Sequence, residues 1–284
     1  MAFSELQIIQ LRIVMRTFSV LSILGSAFII YEVLNNPKKR RMAYHRQMLI
    51  LSCSDLIFSA SNFFVASWPA PDSGWCTAKG FIALSTAVPE AMYNAGLCVY
   101  YMLTIRYQWT EQQVLRLQPL LIIFPILWGL ASAIAPLVRG MIHHNPVYGC
   151  WIIPSPSGCL GSQCIPDESY YHLYNFIFIY IPRWISFGVA LIAMGLVYVT
   201  VSKEERDYGG EAPLGILWFA QREEGQDDSR QTRSRRMARQ AFWYLLNFFM
   251  TYVGITALRI VDALGGNGSG SFGLLCFTMI FLPW

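Results

Sequence analysis

Residues Trp75–Trp109 read WCTAKGFIALSTAVPEAMYNAGLCVYYMLTIRYQW. Cys76 stands near the start, the run from Gly80 to Leu103 is apolar apart from one carboxylate, Glu90, and charge returns at Arg106. About 27 residues separate Lys79 from Arg106, roughly 40 Å at 1.5 Å per helical residue, which crosses a bilayer with tilt. The stretch is therefore expected to be a central transmembrane helix.

Composition points the same way. Hydrophobic residues make up 55% of the 284 and charged residues 13%, with a mean hydropathy of +0.40. That charged share is about half of an ordinary soluble domain's, and a soluble chain of this length could not hide so much apolar surface. The net charge of +4 is modest, and there is no basic stripe interleaved with aromatics, so nucleic acid is not expected as a partner.

Outward from the central stretch, the chain divides into apolar runs near 17–34, 47–68, 78–106, 119–138, 171–201, 240–264 and 272–284. The expected fold is an all-α membrane protein, one seven-transmembrane helix bundle over residues 1–284 embedded in the lipid bilayer. Residues 139–170 form a long outer loop and 202–239 a cytoplasmic one. The last run reaches only about 20 Å, against roughly 30 Å of hydrocarbon, so the seventh helix is expected to be incomplete and the chain a fragment. The amino end lacks a short apolar segment with a small-residue cleavage site, and the first run reads as a signal anchor.

Most of the Lys and Arg follow odd-numbered runs: Lys38 to Arg41 and Arg46 after the first, Arg106 and Arg116 after the third, and an arginine-rich segment after the fifth. The positive-inside bias then places these loops in the cytoplasm and the N terminus outside, although Arg12 and Arg16 oppose it. Of the seven cysteines, Cys76, Cys150, Cys159 and Cys164 fall in loops assigned to the outside, where disulfides persist. Four cysteines allow three pairings. The simplest joins Cys76 to Cys150 and Cys159 to Cys164, the latter two being otherwise free thiols or a weak metal site.

Several local motifs add a family resemblance. Leu51-Ser52-Cys53-Ser54-Asp55-Leu56, Trp75-Cys76, Trp128, Gly149-Cys150-Trp151-Ile152, Tyr180-Ile181-Pro182, Arg235-Arg236-Met237-Ala238-Arg239-Gln240 and Phe281-Leu282-Pro283 occur in order along the chain. Together they resemble a G-protein-coupled receptor, nearest the cyclic-AMP-receptor-like group related to secretin-type receptors. The resemblance implies a plasma-membrane receptor that binds an extracellular ligand and activates a heterotrimeric G protein through movement of the sixth helix. Thr104-Ile105-Arg106-Tyr107 shares only its last two residues with the Asp-Arg-Tyr of rhodopsin-like receptors, so no ionic lock with an adjacent acid is implied. Nor does the resemblance make cyclic AMP the ligand; Lys79 and Arg259 are outer-side cations that a phosphate could use.

An ionisable group at bilayer depth costs roughly 2.5–3.5 kcal/mol on insertion scales and faces the bundle interior. Glu90 lies about 20 Å below Cys76 and Arg183 about 18 Å into the fifth run, by helical rise. Opposite charge at similar depth predicts a Glu90–Arg183 pair, the alternative being local hydrogen bonds or cavity water. Pro89 and Pro182 stand beside the two and are expected to kink their helices there. Tyr93 and Asn94 beside Glu90, Trp184 beside Arg183, and Arg259 with Asp262 complete the expected ligand cavity, although the last two could be a simple surface pair. Asp55 reads as part of an intramembrane polar network with Asn94 and Asn247, or as a structural acid held by a hydroxyl such as Ser52 or Ser59. Arg40, Arg41, Arg106, Tyr107, Arg235, Arg236 and Arg239 are the expected G-protein-facing residues. The arginines among 230–239 serve equally as a topogenic cluster that binds anionic lipid.

Other classes fit less well. A retinal protein needs a lysine in its seventh helix; the lysines are Lys38, Lys39, Lys79 and Lys203, so the visible part of the last run has none, and one in the remainder of that helix would revive the pigment reading. His143, His144, His172, Asp167 and Glu168 lack the helical spacing of a metal hydrolase. No internal repeat suggests a transporter. No phosphate loop or nucleophile elbow is present, so no cofactor, metal or catalytic residue is expected.

Overall fold

A computed structural model describes residues 5–65, 73–145, 149–153 and 173–207. The runs at 240–264 and 272–284 lie outside the described residues. In chain order come α1 (Glu5–Asn35), α2 (Pro37–Arg41), α3 (Ala43–Val65), α4 (Gly74–Ile105), α5 (Glu111–Val138), β1 (Ile142–Asn145), β2 (Gly149–Ile152), a π-helical turn (Phe176–Tyr180) and α6 (Ile181–Asp207). Among the described residues, Ile8–Asn35, Glu111–Val138 and Leu173–Val201 are long and apolar enough to cross a membrane.

The helix ends follow from local chemistry. The Asn36 side chain accepts from Lys38 N at 3.1 Å and Lys39 N at 3.4 Å, with Pro37 in the first turn where its missing N–H costs nothing. Ser73 accepts from Cys76 N at 3.3 Å and starts α4. Gln113 Oε1 reaches back to Thr110 N at 2.9 Å, so α5 begins at Glu111, well before the apolar run that marks it in the sequence.

The central stretch is central in space. The 32-residue α4 packs against α3, α5, α6 and both strands, with buried positions along its whole length. At the strand end its core is Cys76, Leu84 and Val88 with Ala133, Met141, Ile142, Cys150 and Ile152. At the far end Leu97, Tyr101 and Ile105 pack with Met48, Ala190, Met194 and Val197. Apolar side chains such as Leu24 and Phe28 of α1, Leu120 and Leu127 of α5 and Ile185 and Ile192 of α6 point outward. Contiguous apolar surface of this kind is stable facing lipid, not water.

The loop expected at 139–170 contains structure. β1 and β2 pair antiparallel with Ile142 opposite Ile152 and Asn145 opposite Gly149. A disulfide joins Cys76 of α4 to Cys150 of β2 with Cα atoms 5.2 Å apart. Gly80 makes room for the hairpin, since a Cβ there would stand 2.3 Å from Ile142 Cγ2. Cys159 and Cys164 lie outside the described residues.

Candidate functional site

Among the described residues, two groups of interior polar side chains bear on the expected site. The first lies between α1 and α3. Ser19, Ser22 and Ser26 form a buried stripe on α1, which meets Asp55 and Ser59 of α3, and small side chains of this kind let helices approach closely in a membrane. Asp55 Oδ2 accepts from Ser22 Oγ at 2.8 Å and from Ser26 Oγ at 2.5 Å, while Ser59 Oγ donates to Ser22 Oγ at 2.9 Å. Oδ1 of Asp55 is buried without a hydrogen-bond partner among the described residues. The sequence suggested Ser52 or Ser59 as the local partner; Ser59 does interact with the carboxylate, and Ser22 and Ser26 of α1 add the two hydrogen bonds that cross between helices. The four-residue spacing of Ser22 and Ser26 in an apolar helix was the available signal.

Removing both α1 hydroxyls strands a buried carboxylate. The Ser22→Ala/Ser26→Ala variant is expected to lose about 2–4 kcal/mol, two charge-assisted bonds' worth, as read from thermal unfolding in detergent. Adding Asp55→Asn should recover part of that loss. A double-serine variant that melts with the parent would show that the bonds are not made.

The second set lies between α4 and α6. Arg183 Nη2 donates to the Ala87 carbonyl of α4 at 3.1 Å. Glu90 sits about one turn further along and within Coulombic range of both Arg183 and Asp55. Asn94 Nδ2 donates to the Glu90 carbonyl at 3.1 Å, so its amide is engaged on its own helix. The predicted partners thus share one region of the bundle, and one hydrogen bond of the guanidinium runs to the α4 backbone. Tyr93 is buried and donates to the Ile122 carbonyl at 3.4 Å, facing α5. Trp184 is 45% exposed, edge-on to Phe187 on the outward face of α6, not in the interior.

Lys79, read from sequence as an outer-side cation, is 6% exposed and lies within α4 just below the disulfide. Nearby, Trp128 Nε1 of α5 donates to the Phe178 carbonyl at 3.2 Å, inside the π-helical turn. A π turn displaces a carbonyl from its usual intrahelical partner, and here an indole takes it up. Tyr174 Oη donates to the Ser132 carbonyl at 2.7 Å, closing the same seam.

At the end away from the disulfide, Arg106 Nη1 donates to Thr200 Oγ1 of α6 at 3.2 Å and its guanidinium lies 5.8 Å from the Tyr107 ring centre. Arg40 and Arg41 sit elsewhere, on α2, which packs against α1 and α3. Gln118 Nε2 of α5 donates to the Ala43 carbonyl at 3.0 Å and the Glu111 carboxylate accepts from Ala43 N, bracing the start of α3. Arg235, Arg236, Arg239, Asn247, Arg259 and Asp262 lie outside the described residues. Among the described residues, no three His, Cys, Asp or Glu side chains gather as a metal ion requires.

The architecture matches a known structure. The crystal structure of squid rhodopsin aligns with the whole of this chain and 81% of that protein, at a TM-score of 0.63 and 14% identity. The chain has a rhodopsin-like fold. No family model matches the sequence, and no curated protein does. At 14% identity the likeness is one of fold, so chemistry has to be argued from the side chains above. Together with the apolar helices it makes this a multi-pass membrane protein.

Proposed function

We propose that the chain is a cell-surface G-protein-coupled receptor that binds an extracellular ligand and activates a heterotrimeric G protein. The observation that carries the reading is the rhodopsin-like fold built around α4, with polar groups inside it and an exposed arginine at its basic end. The positive-inside bias puts the disulfide end outside and Arg106, Tyr107, Arg40 and Arg41 in the cytoplasm. Glu90, Asn94 and Arg183 then lie along the path from the outer face, where a ligand would bias the packing of α6 on α4. Arg259 and Asp262 are assigned to the outer mouth of that cavity, and Arg235, Arg236 and Arg239 to the G-protein face. The finer kinship with cyclic-AMP-receptor-like proteins rests on the sequence motifs. A pigment like squid rhodopsin is the second reading, and a Schiff-base lysine in the seventh helix beyond Trp284 is the observation that would favour it.

The test is basal nucleotide exchange on a panel of heterotrimers in membranes carrying the full chain, against membranes without it. At least one heterotrimer should exchange several-fold faster. Arg106→Ala, which removes the guanidinium at the α4–α6 seam, should abolish most of the gain. Glu90→Gln and Arg183→Gln should act non-additively in the same assay. No acceleration across the panel would count against the receptor reading, and additive effects would remove the pair from it.

A further inference from the structure

The sharpest concentration of positive charge in the described residues is α2. Lys38, Lys39, Arg40 and Arg41 occupy four consecutive positions, and Arg46 folds back so that its Nε donates to the Arg40 carbonyl at 2.9 Å. The cluster is ordered, since Asn36 caps the turn, Arg40 N donates to the Asn36 carbonyl at 3.2 Å and Met42 N to the Lys39 carbonyl at 3.1 Å. Among the described residues, Lys39 alone of the cluster has an acidic partner, Glu32. The other nearby carboxylate, Glu111, is taken by the Ala43 N–H. Among the described residues no carboxylate answers Lys38, Arg40, Arg41 or Arg46, all four exposed.

What flanks these cations decides the partner. Tyr31 and Leu34 of α1 and Met42 after α2 are exposed large apolar side chains beside the charges. A soluble anion would meet the charges and leave those groups in water, whereas a lipid satisfies both, acyl chain against the apolar flank and headgroup against the cations. Lys38 to Arg41 rise only about 5 Å along the helix axis. Singly charged headgroups spread their charge over the membrane plane, but a headgroup bearing several phosphates concentrates it to match. Two arginines add the planar fork that binds phosphate oxygens in pairs.

We propose that α2 with Arg46 is a docking site for a polyphosphorylated inositol lipid of the inner leaflet. The site rests on the membrane orientation proposed above. Among the described residues it packs on α1 and α3, apart from the Arg106–Thr200 seam, so a lipid held here leaves that seam open.

The experiment places the purified full chain in phosphatidylcholine nanodiscs containing either phosphatidylinositol bisphosphate or phosphatidylserine at equal total lipid charge, and counts retained lipid by native mass spectrometry. The bisphosphate lipid should be retained at least tenfold better than phosphatidylserine. Lys38→Gln/Arg40→Gln/Arg41→Gln should abolish that preference, while Arg116→Gln/Lys203→Gln, two other cations of the same end, should keep it. Equal retention of the two lipids, an unaffected triple variant, or loss in both variants would overturn the site. A triple variant that keeps the lipid but loses nucleotide exchange would give the surface to a protein partner instead, and so also overturn it. Orientation is scored separately by impermeant labelling of Met42→Cys, which should react only after the membrane is opened. Labelling of intact cells would sink the orientation, and failure of lipid retention with a correctly placed Met42→Cys sinks the docking site alone.

Discussion

Replacing Gly129 by valine is expected to leave little folded protein at the membrane. A Cβ at Gly129 of α5 would stand 2.3 Å from the Ser85 carbonyl oxygen and 2.4 Å from Cγ of Pro89, both on α4. Neither neighbour can yield, since one is helix backbone and the other a ring closed on it. The helices would have to separate, opening the contact around Ala133 and Ser132, which are fully buried. Overpacking a core typically costs about 1–3 kcal/mol with flexible neighbours, and more is expected where the obstacle is backbone. Alanine should already lower the melting temperature by several degrees, and valine should abolish surface expression. The matched control is Gly188→Ala in α6, where nothing lies within 4 Å; it should be neutral or up to about 1 kcal/mol stabilising. A Gly129→Val protein that expresses and melts like the parent would show that α4 and α5 cross further apart than the Gly129–Ser85 approach requires.

That contact also shows what was legible beforehand. The position of α4 was readable because charge returns at both its ends, and the wet end of α3 because Lys38 to Arg41 precede it. The rotation of each helix was not. In water an amphipathic helix declares its buried face by where its apolar residues fall, but in lipid both faces are apolar and that signal vanishes. What remains is the distribution of small and polar residues. Ser22 and Ser26, Gly80 and Gly129 mark the inward faces of their helices, and read in that way they point to the bond with Asp55, the seat of the hairpin and the α4–α5 crossing. Similar depth brought Glu90 and Arg183 into one region, because helical rise is a fixed length. The acceptor for Arg183 was not foreseeable, since Ala87 offers only its backbone carbonyl. The hairpin was missed for another reason: four-residue strands held by a disulfide carry too little pattern to stand out from a loop.

Cutting the Cys76–Cys150 bridge is expected to be the other large loss. The bridge closes a loop with a sequence separation of 74, for which chain entropy alone gives about 4 kcal/mol. A bilayer reduces this, because the membrane already confines the ends of α4 and of α5 to one surface before the bond forms. About 2–3 kcal/mol is a better expectation, or a fall of roughly 5–10 °C in melting temperature for Cys76→Ser/Cys150→Ser. Reductant should act slowly on the native protein, as both cysteines are buried, beneath Met141 and Ile152. The effect should reach beyond the hairpin. Lys79 and Gly80 follow the bridge directly on α4, and the seam made by Trp128, Tyr174 and the π turn belongs to the same packed cluster. The Cys76→Ser/Cys150→Ser variant should therefore also shift basal nucleotide exchange, whereas a hairpin pinned merely for stability would lower the melting temperature and leave exchange per folded molecule unchanged. Peptide mapping that finds Cys150 joined to Cys159 or Cys164 would remove the basis for both effects, since α4 would then be free of the hairpin.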